Sequence, residues 1–248
     1  MSENLRLDRL LVERGLAATR SRAADAIRRG AVRVSGVRVE KPGALVAPQA
    51  DIAFDDPAAR YVSRAALKLA AGLERFGLDP MGLTCLDLGA STGGFTQVLL
   101  QRGAARVHAV DVGHGQLHES LQGDPRIRSI EGLNARDLEP AHIGEPVDAI
   151  VADVSFISLR LVLPPALALA APEAFLLALV KPQFELGREA LGKGGIVRDP
   201  AAGEACAPAI AAWLERQPGG WRALGTAPSP IQGGDGNREY LLAARRAP

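Results

Sequence analysis

From Tyr61 onward the chain of 248 residues alternates apolar strand signals with helical ones, and that alternation leaves few folds open. Leu83 to Leu88 reads as a short strand running into a glycine-rich turn and a helix that ends near Leu100. Arg106 to Val112, Ile127 to Ile130, Val147 to Ala152 and Ala174 to Val180 read as further strands. The last is apolar throughout, as expected of a strand covered on both faces. Ser63 to Phe76 and Ala205 to Leu214 read as helices, and Glu239 to Ala243 as a closing strand. The order predicts an α/β, Rossmann-like domain with a mainly parallel twisted sheet.

The first sixty residues follow another grammar. Leu7, Leu10 and Leu11 share a helix face that Gly15 stops. Ser21 is placed to cap a second helix with Ala23, Ala24 and Ile27 inward, and Val32 to Val39 reads as a hairpin around Ser35-Gly36. A small α+β module over residues 1–55, a linker over 56–62 and a large domain over 63–248 are expected. The formal net charge of +1 hides an asymmetry, because Leu5 to Lys41 carries +6 and the remainder −5. A basic end on an otherwise acidic chain points to a polyanion partner. Arg6, Arg9, Arg20, Arg22, Arg28, Arg29 and Arg33 are the candidate contacts, and the scarcity of aromatic residues favours structured RNA over stacked single strands. An exposed arginine-rich helix face is the plain alternative.

Composition and sorting signals narrow the setting. Two cysteines, Cys85 and Cys206, cannot form a disulfide framework, and no zinc ligand set is visible. The start MSENLRLDRLL lacks the order of a signal peptide, and Leu161 to Leu169, broken by Pro164 and Pro165, is too short to span a membrane. A cytoplasmic location is expected, with no membrane association.

The most informative stretch is Asp87-Leu88-Gly89-Ala90-Ser91-Thr92-Gly93-Gly94-Phe95. A glycine-rich turn between strand and helix admits a ligand close to the backbone, but Gly89, Gly93 and Gly94 do not follow the dinucleotide spacing G-x-G-x-x-G. Asp87 before the turn favours a cationic ligand group, and Asp111 at the next strand end suits ribose hydroxyls. Together they describe S-adenosylmethionine better than a dinucleotide. Close helix–strand packing at the glycines and a solvated Asp111 form the competing reading.

DLGASTGGFTQVLL, AVDVGHGQL, ADVSFISL and LVKPQFELG resemble the TlyA family, relatives of the FtsJ-type ribose methyltransferases. RLDRLLVERG and SRAADAIRRGAVRVSG resemble a small RNA-binding module first seen in a ribosomal protein. The resemblance implies S-adenosylmethionine as cofactor, ribosomal RNA or ribosomal subunits as partner, and 2′-O-methylation of a cytidine. The short segment after Tyr240 points to large-subunit RNA, and a monomer is favoured. It also implies a catalytic tetrad of Lys68, Asp153, Lys181 and Glu239, and places Asn134 near the adenine.

The residues support part of this independently. Asp153 and Lys181 follow strands at the end of the sheet where ligands gather. Lys181 runs from an apolar strand into Pro182, where desolvation would lower its pKa and make it a base. Singly, each has an ordinary reading: solvated charges at Lys68 and Lys181, a capping segment at Asp153-Ser155, a surface pair between Glu239 and Arg238. His114 and His118, four apart, read as surface or cofactor-rim histidines because no third ligand is near. Phe95 and Phe156 suit either a pocket lining or the core. Gly192 to Gly195 reads as a mobile loop, and Lys193 lacks phosphate-loop spacing. A non-catalytic ribosome-assembly protein and a membrane-active haemolysin are the competing functions, the latter without the apolar insertion segment it needs.

Overall fold

A computed structural model describes residues 4–234 and 236–248, so the first three residues of the stretch read for a signal peptide lie outside the described residues. The chain divides into two compact units, Met1–Arg60 and Tyr61–Pro248.

In the first unit, β1 (Leu5–Arg6) leads into α1 (Leu7–Glu13), followed by α2 (Arg20–Arg28), β2 (Val32–Val34), β3 (Val37–Arg38), β4 (Leu45–Val46) and β5 (Ile52–Phe54). Strand β2 pairs antiparallel with both β3 and β5, and β1 with β4. The small core gathers Leu7, Leu10, Leu11, Ala23, Ile27, Val32 and Val46. The second helix is capped by Thr19, whose hydroxyl accepts from the Arg22 amide at 3.2 Å, and not by Ser21. Thr19 is extended, as an N-cap must be, so the helix begins one residue before the predicted cap. That phase turns Ala26 inward and leaves Ala24 half-buried.

The second unit runs α3 (Ala65–Phe76), β6 (Thr84–Leu88), α4 (Gly94–Gln101), β7 (Arg106–Asp111), β8 (Ile127–Glu131), α5 (Pro140–Ile143), β9 (Val147–Ala152), α6 (Leu159–Ala168), β10 (Ala170–Val180), α7 (Pro182–Glu185), α8 (Pro200–Leu214), β11 (Arg222–Pro228) and β12 (Tyr240–Arg245). The sheet order is β11-β12-β10-β9-β6-β7-β8. The strands from β10 to β8 are parallel, whereas β12 runs antiparallel between β10 and β11. Sequence reading missed β11, because RALGTAP mixes small, polar and proline residues and is paired along one edge only. One buried cluster joins the sheet to α6 and α8, the other joins it to α3 and α4. Helices thus pack on both faces of a mainly parallel sheet, as expected of a Rossmann-like domain.

Two features of this sheet place functional groups. The carboxyl ends of β6, β9 and β10 lie side by side. Because β12 is antiparallel, its first residue Tyr240 pairs with Val180, the last residue of β10, so the beginning of the final strand comes to the same edge.

Candidate active site

Four charged side chains meet at that edge. Lys68 projects from α3, Asp153 follows β9, Lys181 follows β10, and Glu239 immediately precedes β12. Lys68 Nζ donates to Glu239 Oε2 at 2.5 Å and lies 3.8 Å from Asp153 Oδ2. Asp153 Oδ1 is in ion-pair contact with Lys181 Nζ at 2.6 Å, without hydrogen-bond alignment. Lys181 Nζ donates to Ser155 Oγ at 2.8 Å. Two cations and two anions therefore alternate in one path, buried at Lys68, Lys181 and Glu239 and half-buried at Asp153. A buried charge is tolerated when it is paired this way, and removing one member strands its neighbour. Lys181 is buried at the end of its apolar strand, and a carboxylate and a hydroxyl stand against its amine. Glu239 pairs with Lys68 and not with Arg238.

Ligand space opens beside this path. A cleft of about 240 Å³ is lined by Gly89, Ala90, Ser91, Thr92, Gly94 and Phe95 of the turn. Asp153, Ser155 and Lys181 face the same cleft, as do Ser63 and Arg64. Gly89 is what lets the turn sit here. Its φ of +80° favours glycine, and a Cβ would stand 2.7 Å from the Asp153 carbonyl oxygen. Phe95, one of the two readings offered above, is both buried and part of the lining.

The two acids flanking the turn differ. Asp111 accepts from the Ser91 amide at 2.8 Å and the Gly113 amide at 2.7 Å, which fixes its carboxylate at the end of β7. Asn134 follows β8 next to it, and its side chain accepts from the Arg136 amide at 3.2 Å. Asp87 lies beneath the turn with no exposure to water and is not part of the cleft lining. Its Oδ2 accepts from Thr96 Oγ1 at 2.7 Å, while Oδ1 is buried without a partner. Burial, with help from the charges of Asp153 and Asp111, raises its pKa to about 7 against the opposing Thr96 bond. The glycine cradle, the orphan carboxylate oxygen below it and the anchored Asp111 beside it fit a ligand with a cationic end and a ribose.

Several neighbours escaped sequence reading. Ser155 touches Lys181 directly. Glu185 on α7 accepts from Ser158 Oγ at 2.6 Å and from the Leu159 amide at 2.8 Å, tying the turn after β10 to the start of α6. Burial raises the pKa of Glu185 in spite of those bonds. The true cap of α6 is thus Ser158, not the Asp153-Ser155 segment. Asn237, also buried, accepts from the Val197 amide and donates to the Gly195 carbonyl, both at 3.0 Å. It fastens the glycine loop around Lys193 to the segment that carries Glu239. Phe156 is 89% exposed with a φ of +65°, and its ring lies 5.1 Å from that of Phe184. These contacts join residues up to 42 apart, and only the spacing D-x-S in ADVSF hinted at one of them.

Other candidates take quieter places. His118 caps a short 3₁₀ turn and His114 is exposed, so the two do not share a helix. No group of three or more metal-ligating side chains exists among the described residues. In the first unit, Arg6 and Arg20 share Asp8, Arg9 pairs with Glu13, and Arg33 donates to the Gly36 carbonyl. Arg22 and Arg28 are exposed. Arg29 differs from the rest: its guanidinium grips Asp56 through two bonds of 2.7 and 2.9 Å and Asp25 at 2.8 Å. It is spent on holding the unit together and is not a surface cation.

Comparison with known proteins identifies the family. Residues 61–246 match the FtsJ-like methyltransferase family and residues 5–52 match the S4 domain. The 16S/23S rRNA (cytidine-2′-O)-methyltransferase TlyA of Mycobacterium tuberculosis is 46% identical over 99% of this chain and 91% of its own length. Hemolysin A of Brachyspira hyodysenteriae is 39% identical over 96% of this chain and 98% of its own length. A solved Streptococcus thermophilus structure, named provisionally as a hemolysin, superposes with a TM-score of 0.74 at 39% identity, covering 100% of this chain and 90% of that one. With a family match over most of its length and relatives this similar from end to end, the chain belongs to the FtsJ-like methyltransferases of the TlyA type, which carry an S4 domain ahead of the methyltransferase fold.

Proposed function

We propose that the chain methylates the ribose 2′-hydroxyl of a cytidine in ribosomal RNA, most directly that of the large subunit, using S-adenosylmethionine. The observation that carries this reading is the path Glu239–Lys68–Asp153–Lys181 at the carboxyl ends of β9 and β10, opening onto the cleft of the glycine turn. S-adenosylmethionine, when bound, supplies an electrophilic methyl group and retains the electron pair of the bond that breaks. The turn Gly89–Phe95 holds its methionine end, Asp87 lies beneath with a free carboxylate oxygen, and Asp111 with Asn134 holds the ribose and adenine side.

The protein's own task is then to place one hydroxyl and remove its proton. A ribose hydroxyl is a weak nucleophile, so alignment and proton acceptance supply most of what the chain contributes. Lys181 orients the hydroxyl and accepts its proton. Asp153 and Glu239, alternating with Lys68, keep the charge of that corner balanced as the proton arrives. The basic first unit holds structured RNA through phosphates and shape. A ribosomal substrate places this work in the cytoplasm, and no helix among the described residues is long and apolar enough to cross a membrane.

The decisive experiment offers labelled S-adenosylmethionine with naked ribosomal RNA, isolated subunits and intact ribosomes, and maps the modified nucleotide. A 2′-O-methylcytidine in one RNA, lost by about 10²–10⁴-fold in Lys181→Ala while cofactor binding persists, is the expected result. No transfer to any of these substrates would refute the reading, and normal turnover in Lys181→Ala would refute the assigned role of that lysine.

A further inference from the structure

We propose that Ser155 is a positioning residue which, together with Asp153, directs the free lone pair of Lys181 at the substrate hydroxyl. The inference deepens the methyltransferase reading and rests on it.

A lysine nitrogen is tetrahedral, with one position taken by its own carbon chain and three left over. In this structure Ser155 Oγ takes one of the three as a hydrogen-bond acceptor at 2.8 Å, and Asp153 Oδ1 stands beside the nitrogen at 2.6 Å as an ion-pair contact without hydrogen-bond alignment. Lys181 also lines the cleft, as do both of its partners, so a ligand in the cleft comes up beside this group of three. When the nitrogen is neutral it has two N–H bonds and one lone pair. Ser155 accepts one N–H, the negative charge of Asp153 draws the second toward its side, and the lone pair is left to the direction away from both. Without Ser155 the nitrogen can turn about its own Cε–Nζ bond and present an N–H to the substrate instead.

The two partners are themselves held, which makes their direction fixed. The Asp153 amide donates to the Leu88 carbonyl at 3.0 Å, and its other carboxylate oxygen faces Lys68. Ser155 stands on the segment between β9 and α6, whose far end is clamped to Glu185 through Ser158 and the Leu159 amide. Glu185 lies on α7, four residues after Lys181. The lysine and the serine that orients it are thus fastened to each other at both ends of a short loop.

The proton balance is simple. The neutral Lys181 amine accepts the hydroxyl proton and becomes an ammonium ion, whose three N–H bonds then face Asp153, Ser155 and the methylated oxygen. No further acid or base is needed, and the ammonium returns its proton to water after the product leaves. Ser155 gains and loses nothing, so its effect is on direction alone.

Ser155→Ala and Ser155→Thr test this against the parent protein in two ways. The first needs no substrate: acetylation of Lys181 by acetic anhydride, followed by peptide mass spectrometry across a pH series. The alanine variant releases the nitrogen, so Lys181 is expected to react about threefold faster or more, and threonine restores the parent rate. The second is methyl transfer to ribosomal RNA, where alanine is expected to lower kcat about 10–100-fold with KM for RNA and cofactor affinity unchanged within about twofold. Threonine should recover kcat. Labelling and kcat that stay within twofold of the parent at every pH would overturn the proposal, as would a threonine variant that behaves like alanine. If the parent protein itself transfers no methyl group, the functional reading falls while the labelling result still decides what Ser155 does to Lys181.

Discussion

Asp87 has one carboxylate oxygen on Thr96 and the other on nothing, in a site without exposure to water. Its pKa near 7, against about 3.8 for the free group, has a definite sign for stability. Between about pH 4 and pH 7 the folded protein binds a proton there that the unfolded chain does not, so this group's contribution falls as pH rises through that window. Three units correspond to the order of a few kcal/mol. Asp87→Asn removes the titration, so its Tm relative to the parent is expected to be several degrees more favourable at pH 8 than at pH 5, measured by calorimetry. An unchanged difference would mean that Asp87 stays ionised throughout. At this scale strand ends pointed to Asp153 and Lys181, whereas Lys68 and Glu239 were named by the family resemblance and read alone as surface charges. Ser155, Glu185 and Asn237 stayed hidden because their importance lies in partners 26 to 42 residues away, which no local pattern encodes.

Among the elements, α3 must lie close against the sheet for Lys68 to reach both acids. Gly72, one turn beyond Lys68, permits that approach: a Cβ there would stand 2.7 Å from Leu177 Cδ2 on β10. Elsewhere in a helix alanine would be preferred over glycine by about 1 kcal/mol. Here Gly72→Ala is expected to destabilise by about 1–3 kcal/mol through overpacking and to lower methyl transfer, read by denaturant unfolding and by turnover. A second test concerns the glycine loop. Asn237→Ala leaves the Val197 amide and Gly195 carbonyl without partners, an expected loss of about 1–3 kcal/mol with faster hydrogen exchange at Val197. Elements with strong apolar runs were readable nearly to the residue, Val147–Ala152 among them. Those that depend on a neighbour were not: β11 needs β12 beside it, and the two-residue strands of the first unit have no periodicity to read.

For the whole molecule, the basic first unit separates two kinds of arginine. Arg29→Ala strips Asp25 and Asp56 of their cation and is expected to destabilise that unit by about 2–4 kcal/mol, seen as an earlier thermal transition. Arg28→Ala, at an exposed position, is expected to leave the transition alone while lowering RNA affinity and reducing the salt slope by about 1. Charge counting along the sequence found the unit's polarity but could not tell these two adjacent arginines apart, since only folding brings Asp56 to one of them. The sheet order has a consequence for how the molecule comes into being. The strand that delivers Glu239 is inserted between β10 and β11, both made before it. A chain still emerging from its ribosome therefore holds the glycine turn, both lysines and Asp153, yet its sheet has a gap and Lys68 lacks its nearest anion. Completion of the final strand closes the gap and finishes the charged path in one event, so a product that stops before Glu239 has neither a continuous sheet nor a complete path.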